Sequence, residues 1–74
     1  MTFNYNKLRG RIIEIFGSQS EFAKKMKWSE RTLSLKMQGK ISWKQVDILK
    51  AISLLKLSAD DILEYFFTVE VQNF

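Results

Sequence analysis

The chain predicts an all-α fold of five short helices, and three observations carry that expectation. Apolar residues recur at three- and four-residue spacing through most of the 74 residues. Gly, Asn and Ser stand at the breaks between those runs, where helix caps are needed. Proline and cysteine are both absent, so no disulfide framework organises the chain and helix packing has to hold it. The length suits one small domain over residues 1–74.

The first helix starts near Asn4 or Asn6, either of which can cap it. Leu8, Ile12, Ile15 and Phe16 form its apolar stripe, and Gly17 ends it in the left-handed position. Gly10 inside it costs about 0.5–1 kcal/mol of helix propensity. Ser18 with Glu21 makes a capping box that opens helix two. Phe22, Ala23 and Met26 are its buried positions, while Lys24, Lys25 and Lys27 point outward or sit at its end. The stretch resembles helix-turn-helix motifs in which Gly often stands at the place of Lys27, at a positive φ, a conformation that costs a lysine of order 1 kcal/mol. Ser29 caps helix three, which runs from about Glu30 to Gln38, with Leu33 and Met37 as core residues and Gly39 as its stop. Ser42 and Gln45 repeat the capping-box spacing and predict the start of helix four, whose apolar content runs from Trp43 to Leu55. Ser58 caps helix five, and Asp60 and Asp61 suit its positive end. In the tail, residues 67–74, Phe67, Val69 and Val71 alternate with polar residues, which is a strand pattern. A lone strand is unstable. The tail therefore pairs with Thr2–Asn4, packs over the helices, pairs with a second copy, or stays disordered.

Helices two and three, about residues 19–38, have the grammar of a helix-turn-helix: a small residue, Ala23, where the helices touch, a tight turn, and a capped second helix. In such a unit the second helix enters the DNA major groove. The charge distribution agrees. The formal charge is +4, but residues 1–44 carry ten Lys/Arg against three Asp/Glu, and residues 45–74 carry two against five. A basic front and an acidic rear favour a polyanion partner.

The spacing of Gln19, Ala23, Ser29, Leu33 and Gly39 resembles the helix-turn-helix of phage Cro proteins and repressors. The five-helix order resembles the lambda repressor-like DNA-binding domain. The segments Tyr5–Ile12 (Tyr-Asn-Lys-Leu-Arg-Gly-Arg-Ile), Ser29–Lys36 (Ser-Glu-Arg-Thr-Leu-Ser-Leu-Lys) and Glu64–Phe67 (Glu-Tyr-Phe-Phe) are similar to those of short phage regulators of this class. The resemblance implies a transcriptional regulator in the cytoplasm of a bacterial host. It would bind a roughly palindromic double-stranded operator as a homodimer.

The resemblance also implies site residues. Glu30 and Arg31, in the first turn of helix three, with Thr32, Ser34 and Leu35, are expected to read bases. Gln19, Lys36, Gln38, Lys40 and Lys44 are expected on phosphates, with Lys36 snorkelling past the core to reach one. The chemistry suits these roles. Arginine matches guanine O6 and N7, glutamate accepts from cytosine N4, and leucine meets a thymine methyl. Lys7, Arg9, Arg11 and Lys25 would add nonspecific attraction. Each role has a plain rival: Arg31 as a solvated surface residue, Glu30 as a helix-start charge, and Leu35 as core or dimer contact. Trp28 and Trp43 read as core or turn packing, and Met26 and Met37 as core fillers.

A second function stands beside the first. A helix-turn-helix module can serve protein contact, or an antitoxin-like regulator can bind a partner, with Tyr65, Phe66, Phe67 and Phe74 as its surface and a repressor protein as one possible partner. An enzyme is the weakest option. The chain has no histidine or cysteine, no glycine-rich phosphate loop and no nucleophile–base pair. Adjacent Asp60 and Asp61 diverge by about 100° on a helix and make no catalytic dyad. No cofactor or metal is expected. The amino terminus lacks the apolar stretch of a signal peptide, and no run approaches the roughly 20 apolar residues of a membrane span.

Overall fold

The computed structural model describes residues 3–69. Five helices follow in order: α1 Asn6–Phe16, α2 Gln19–Met26, α3 Glu30–Met37, α4 Gln45–Leu54 and α5 Ile62–Phe66. A 3-10 turn, Ala59–Asp61, leads into α5. The all-α expectation holds.

The caps explain most of the boundaries. Asn4 Oδ1 accepts the Asn6 N–H at 2.8 Å and sets the start of α1. Gly17, at φ 82°, closes α1 by donating to the Ile13 carbonyl at 2.8 Å. Ser18 Oγ accepts from Glu21 N, and Ser29 Oγ from Thr32 N, at 3.2 and 3.1 Å. Each such cap contributes on the order of 1 kcal/mol.

Helices α2, α3 and α4 end alike, in paired bonds that reach back three and five residues. Lys27 donates to Lys24 O and Trp28 to Ala23 O; Gly39 donates to Lys36 O and Lys40 to Leu35 O; Lys56 donates to Ser53 O and Leu57 to Ile52 O. Each pair turns about one left-handed residue. Gly39 takes this conformation without penalty, but the other two ends place lysines there, Lys27 at φ 64° and Lys56 at φ 57°. The strained lysine expected at position 27 is thus present, and a second one stands at the end of α4.

Two boundaries differ from expectation. Helix α4 starts at Gln45, with Lys44 as its N-cap, not at a Ser42–Gln45 box. Asp47 accepts the Lys44 N–H at 3.0 Å, so the box lies two residues later. Ser58 caps the 3-10 turn: its N–H and Oγ both meet Asp61 Oδ2, at 2.9 and 3.2 Å. The fifth helix is correspondingly short.

The chain ends are joined by one antiparallel bridge, Phe3 to Val69, with Asn4 N–H donating to Thr68 O at 2.7 Å. Pairing of the tail with the amino terminus is therefore present, but as a single bridge among the described residues, not as a strand. Residues 70–74, the rest of the expected strand, lie outside the described residues.

A contiguous core gathers Leu8 and Ile12 of α1, Phe22, Ala23 and Met26 of α2, Leu33 and Met37 of α3, Ile48, Ala51 and Ile52 of α4, then Leu55, and Phe66 of α5, with Tyr5 at its edge. Helix α2 is central, packing on α1, α3 and α4, while α5 closes against α1 and α4. Ala23 is 1% exposed, and Trp28 N–H reaches its carbonyl at 2.9 Å. A larger side chain there would overpack the joint at about 1–3 kcal/mol. Val46, Leu49 and Leu63, apolar in sequence, lie exposed. Among the described residues no helix is long and apolar enough to cross a membrane.

Candidate functional site: the outer strip of α3 and the groove at its end

Helix α3 turns Leu33, Lys36 and Met37 into the core. At 100° per residue, Arg31, Ser34 and Gln38 then fall on the opposite side, and Glu30 stands at the edge of that side in the first turn. All four are exposed, so the structure gathers these expected contact residues into one outward strip. Leu35 lies half-buried at its flank, and Lys40 and Lys44 are exposed on the loop that follows. Gln19, the first residue of α2, is half-buried.

Several expected contacts have work inside the fold. The Thr32 hydroxyl meets Ser29 Oγ at 3.0 Å within the α3 cap, and Thr32 is half-buried. Gln38 Nε2 donates to Ser34 Oγ at 2.9 Å, which ties two strip residues together.

Lys36 is a correction. Only 5% exposed, it does not snorkel to the surface. Its Nζ donates to Ser42 O at 2.9 Å and to Asp47 Oδ2 at 3.2 Å. It also sits 4.7 Å from the centre of the Trp28 ring and 5.9 Å from that of Trp43. A buried ammonium needs such company: one carboxylate, one carbonyl and indole faces replace the lost water. The group fastens α3 to the 42–47 segment and is unavailable to a phosphate.

Other cations expected to draw in DNA also hold the protein together. Arg11 Nε donates to Leu55 O at 3.0 Å, and a terminal nitrogen reaches Lys56 O at 3.4 Å. It thereby serves carbonyls that the end of α4 leaves open. A second terminal nitrogen pairs with Glu14. Lys7 pairs with Glu64 and lies 5.3 Å from the Tyr65 ring centre. Sequence carried signals for the two internal cations. Lys36 stands three residues after Leu33 and one before Met37; Arg11 stands three after Leu8 and one before Ile12. Both share the register of a buried stripe.

Sequence reasoning gave no sign of the groove. A hollow of about 360 Å³ is lined by Phe3, Tyr5, Ile41, Trp43, Phe66 and Phe67, with Gly39, Ser42 and Ile48. A second, about 290 Å³, shares Phe3 and Tyr5 and extends the depression toward Arg9, Met37 and Gln38. Aromatic rings build the floor: Trp43 meets Phe66, Trp28 and Tyr5 at centroid distances of 5.0, 5.4 and 6.3 Å. Burial raises the Tyr5 phenol above its ordinary pKa of 10.0. The Trp43 Nε1–H is buried with no acceptor among the described residues, an arrangement that costs about 1–3 kcal/mol. Only the tertiary fold assembles these residues, from the amino-terminal segment, the α3–α4 loop and α5. Among the described residues no group of three or more acidic side chains is placed to hold a metal.

Comparison with known proteins now bears on these two surfaces. No curated protein matches the chain. Among solved structures, the solution structure of the modulator of repression (MOR) of the temperate bacteriophage TP901-1 from Lactococcus lactis is similar, with a TM-score of 0.81 and 46% sequence identity over 97% of each chain. A family described as "Protein of unknown function (DUF739)" matches residues 1–69. With nearly its whole length inside that match, the chain belongs to the DUF739 family.

Proposed function

We propose that this chain is a phage regulatory protein that modulates repression by binding a repressor protein, with a helix-turn-helix scaffold serving as the contact module. The observation that carries this reading is the 46% identity, end to end, with a phage modulator of repression. Two features of the chain support it. Of the ten residues expected on DNA, Lys36 is committed to the core, and Thr32, Ser34 and Gln38 bond within the fold. Exposed apolar residues, among them Ile41, Phe67 and Val69, give a protein partner something to cover. The chain would then act in the cytoplasm of the host bacterium, where repressor and operator meet.

The test is a binding assay with the repressor of the phage that carries this gene, and that repressor's operator duplex. The chain should co-elute with the repressor and change its apparent affinity for the duplex, without binding the duplex alone. Sequence-selective binding of the chain to the duplex, with no effect on the repressor, would defeat the reading.

A second reading is operator recognition by α3 in a homodimer. It is favoured by the open strip of Glu30, Arg31 and Ser34 beside exposed Lys40 and Lys44. Selection of duplexes from a random library, with wild type and Arg31→Ala side by side, tests it. A two-fold-related motif that loses one base preference in the variant would favour this reading over the first.

A further inference from the structure

We propose that Phe3 is a gate: the segment Phe3–Asn4 swings about Tyr5 while the rest of the fold stays intact, and its departure joins the two hollows that Phe3 separates into one cleft. The inference concerns a motion of the fold. It goes beyond the repressor-binding reading and does not rest on it, and its test uses the chain alone.

Position comes first. Phe3 and Tyr5 line both hollows, of about 360 and 290 Å³, so these two side chains form the partition between them. They are held very differently. Tyr5 is buried in the core, its ring 6.3 Å from that of Trp43, and its carbonyl accepts the Arg9 N–H at 2.9 Å. Phe3 is half-buried. Among the described residues it is held by the single bridge to Val69, by the Asn4 N–H bond to Thr68 O beside it, and by an edge-on contact with the Phe67 ring at 5.4 Å. One bridge falls far short of a stable sheet. Segments with few buried contacts and exposed backbone bonds are the first to open.

The two sides of this clasp also differ. Phe67 N–H donates to Leu63 O at 3.1 Å, and the Thr68 hydroxyl to Glu64 O at 2.5 Å. The tail is thereby tied to α5 by its own local bonds. On the other side, Asn4 Oδ1 holds the Asn6 N–H through an exposed bond, which water replaces at little cost. Phe3–Asn4 is therefore the side that moves, and buried Tyr5 is its hinge.

Opening also has something to gain. Trp43 lines the hollow that Phe3 walls, and its Nε1–H is buried with no acceptor among the described residues. A buried unpaired donor favours a motion that admits water to it. The open cleft would run from Ile41, Trp43 and Phe66 at its apolar end to Asn6, Arg9 and Gln38 at its polar end, with Tyr5 between them.

The test follows hydrogen exchange of the Trp43 indole N–H and of backbone amides by NMR, in the full chain. Three proteins are compared: wild type, Phe3→Ala, and Asn4→Cys/Thr68→Cys in its oxidised and reduced forms. The chain has no cysteine of its own. Residues 4 and 68 are opposite neighbours of the bridged pair, where Cα atoms lie about 5.5 Å apart, within disulfide reach. Phe3, Tyr5 and Trp43 stay unchanged in that pair. In wild type, the indole N–H and the Asn4 amide should exchange faster than the Ile12 and Ala23 amides, at rates that low urea leaves unchanged, the mark of local opening. Phe3→Ala should speed indole exchange about tenfold or more while circular dichroism stays that of wild type. Oxidation of the cysteine pair should slow indole exchange by about tenfold relative to the reduced form. Indole exchange in wild type that rises with urea as steeply as that of Ile12 would overturn the gate, because the site would then open only with global unfolding. Equal indole exchange in the oxidised and reduced forms would overturn it too. Should the cysteine pair fail to fold, the urea dependence in wild type and the response to Phe3→Ala still decide the matter.

Discussion

The two ends of α3 behave as different parts of the molecule. At its start, Glu30 and Arg31 are exposed and the Ser29 cap is satisfied locally through Thr32. At its end, Lys36 is buried under two indoles and tied to Asp47, and Gly39 leads into a loop that walls the aromatic groove. One eight-residue helix thus presents an open polar strip at one end and a locked junction at the other. The contrast teaches that a cation's neighbours in sequence do not set its role; its angular position relative to the buried stripe does. Arg31 and Lys36 differ by five residues, which is 140° around the helix.

Breaking the locked end should have the largest effect. Lys36→Met removes one partner of a buried ion pair and should cost about 3 kcal/mol, at the low end for such pairs because Asp47 keeps the Lys44 N–H. Denaturant unfolding measures it, and adding Asp47→Asn should recover part of the loss. An unchanged midpoint for Lys36→Met would mean that the junction contributes nothing to stability. Next comes Arg11→Ala, which strips its donors from Leu55 O and Lys56 O. A loss of about 1.5–3 kcal/mol is expected, the usual range for hydrogen bonds to a charged group. Amide exchange should show the loss as faster opening at the end of α4.

Smaller effects sharpen the comparison. Lys27→Gly and Lys56→Gly relieve left-handed lysines and should each stabilise by about 0.5 kcal/mol, since greater freedom of the unfolded chain offsets part of the gain. Thermal melts of the two single variants and the double variant read this directly. A clear loss at either site would show that its lysine makes a compensating contact. Arg31→Ala, on the open strip, should change stability by less than about 0.5 kcal/mol. A larger loss would move Arg31 from the exposed strip into the fold.

Five helices were legible in the sequence because apolar period and cap chemistry are local. Ser18, Gly17 and Ser29 act within a few residues of the groups they serve, and the positive φ at Lys27 was expected from the motif the turn resembles. The same locality explains the misplaced start of α4. Ser42–Gln45 and Lys44–Asp47 both fit a box by spacing, and the Ser42 carbonyl is instead drawn to Lys36. Glu30, Arg31 and Ser34 were expected from the resemblance and are exposed, while Thr32 and Leu35 of the same expected set are half-buried.

What sequence could not supply depends on segments distant along the chain. The groove joins Phe3, Trp43 and Phe67, and the guanidinium of Arg11 reaches a carbonyl 44 residues away. The register of Lys36 turns it inward, but its partners exist only once α4 brings Asp47 within 3.2 Å of it and two indoles close over it. By itself, then, the sequence determined the helices, their caps and their inward faces, because dihedral preference and side-chain period act over a few residues. The tertiary structure alone decided which partners the cations aligned with the buried stripes meet and where the aromatic groove forms, because burial and long-range pairing exist only once the helices have packed.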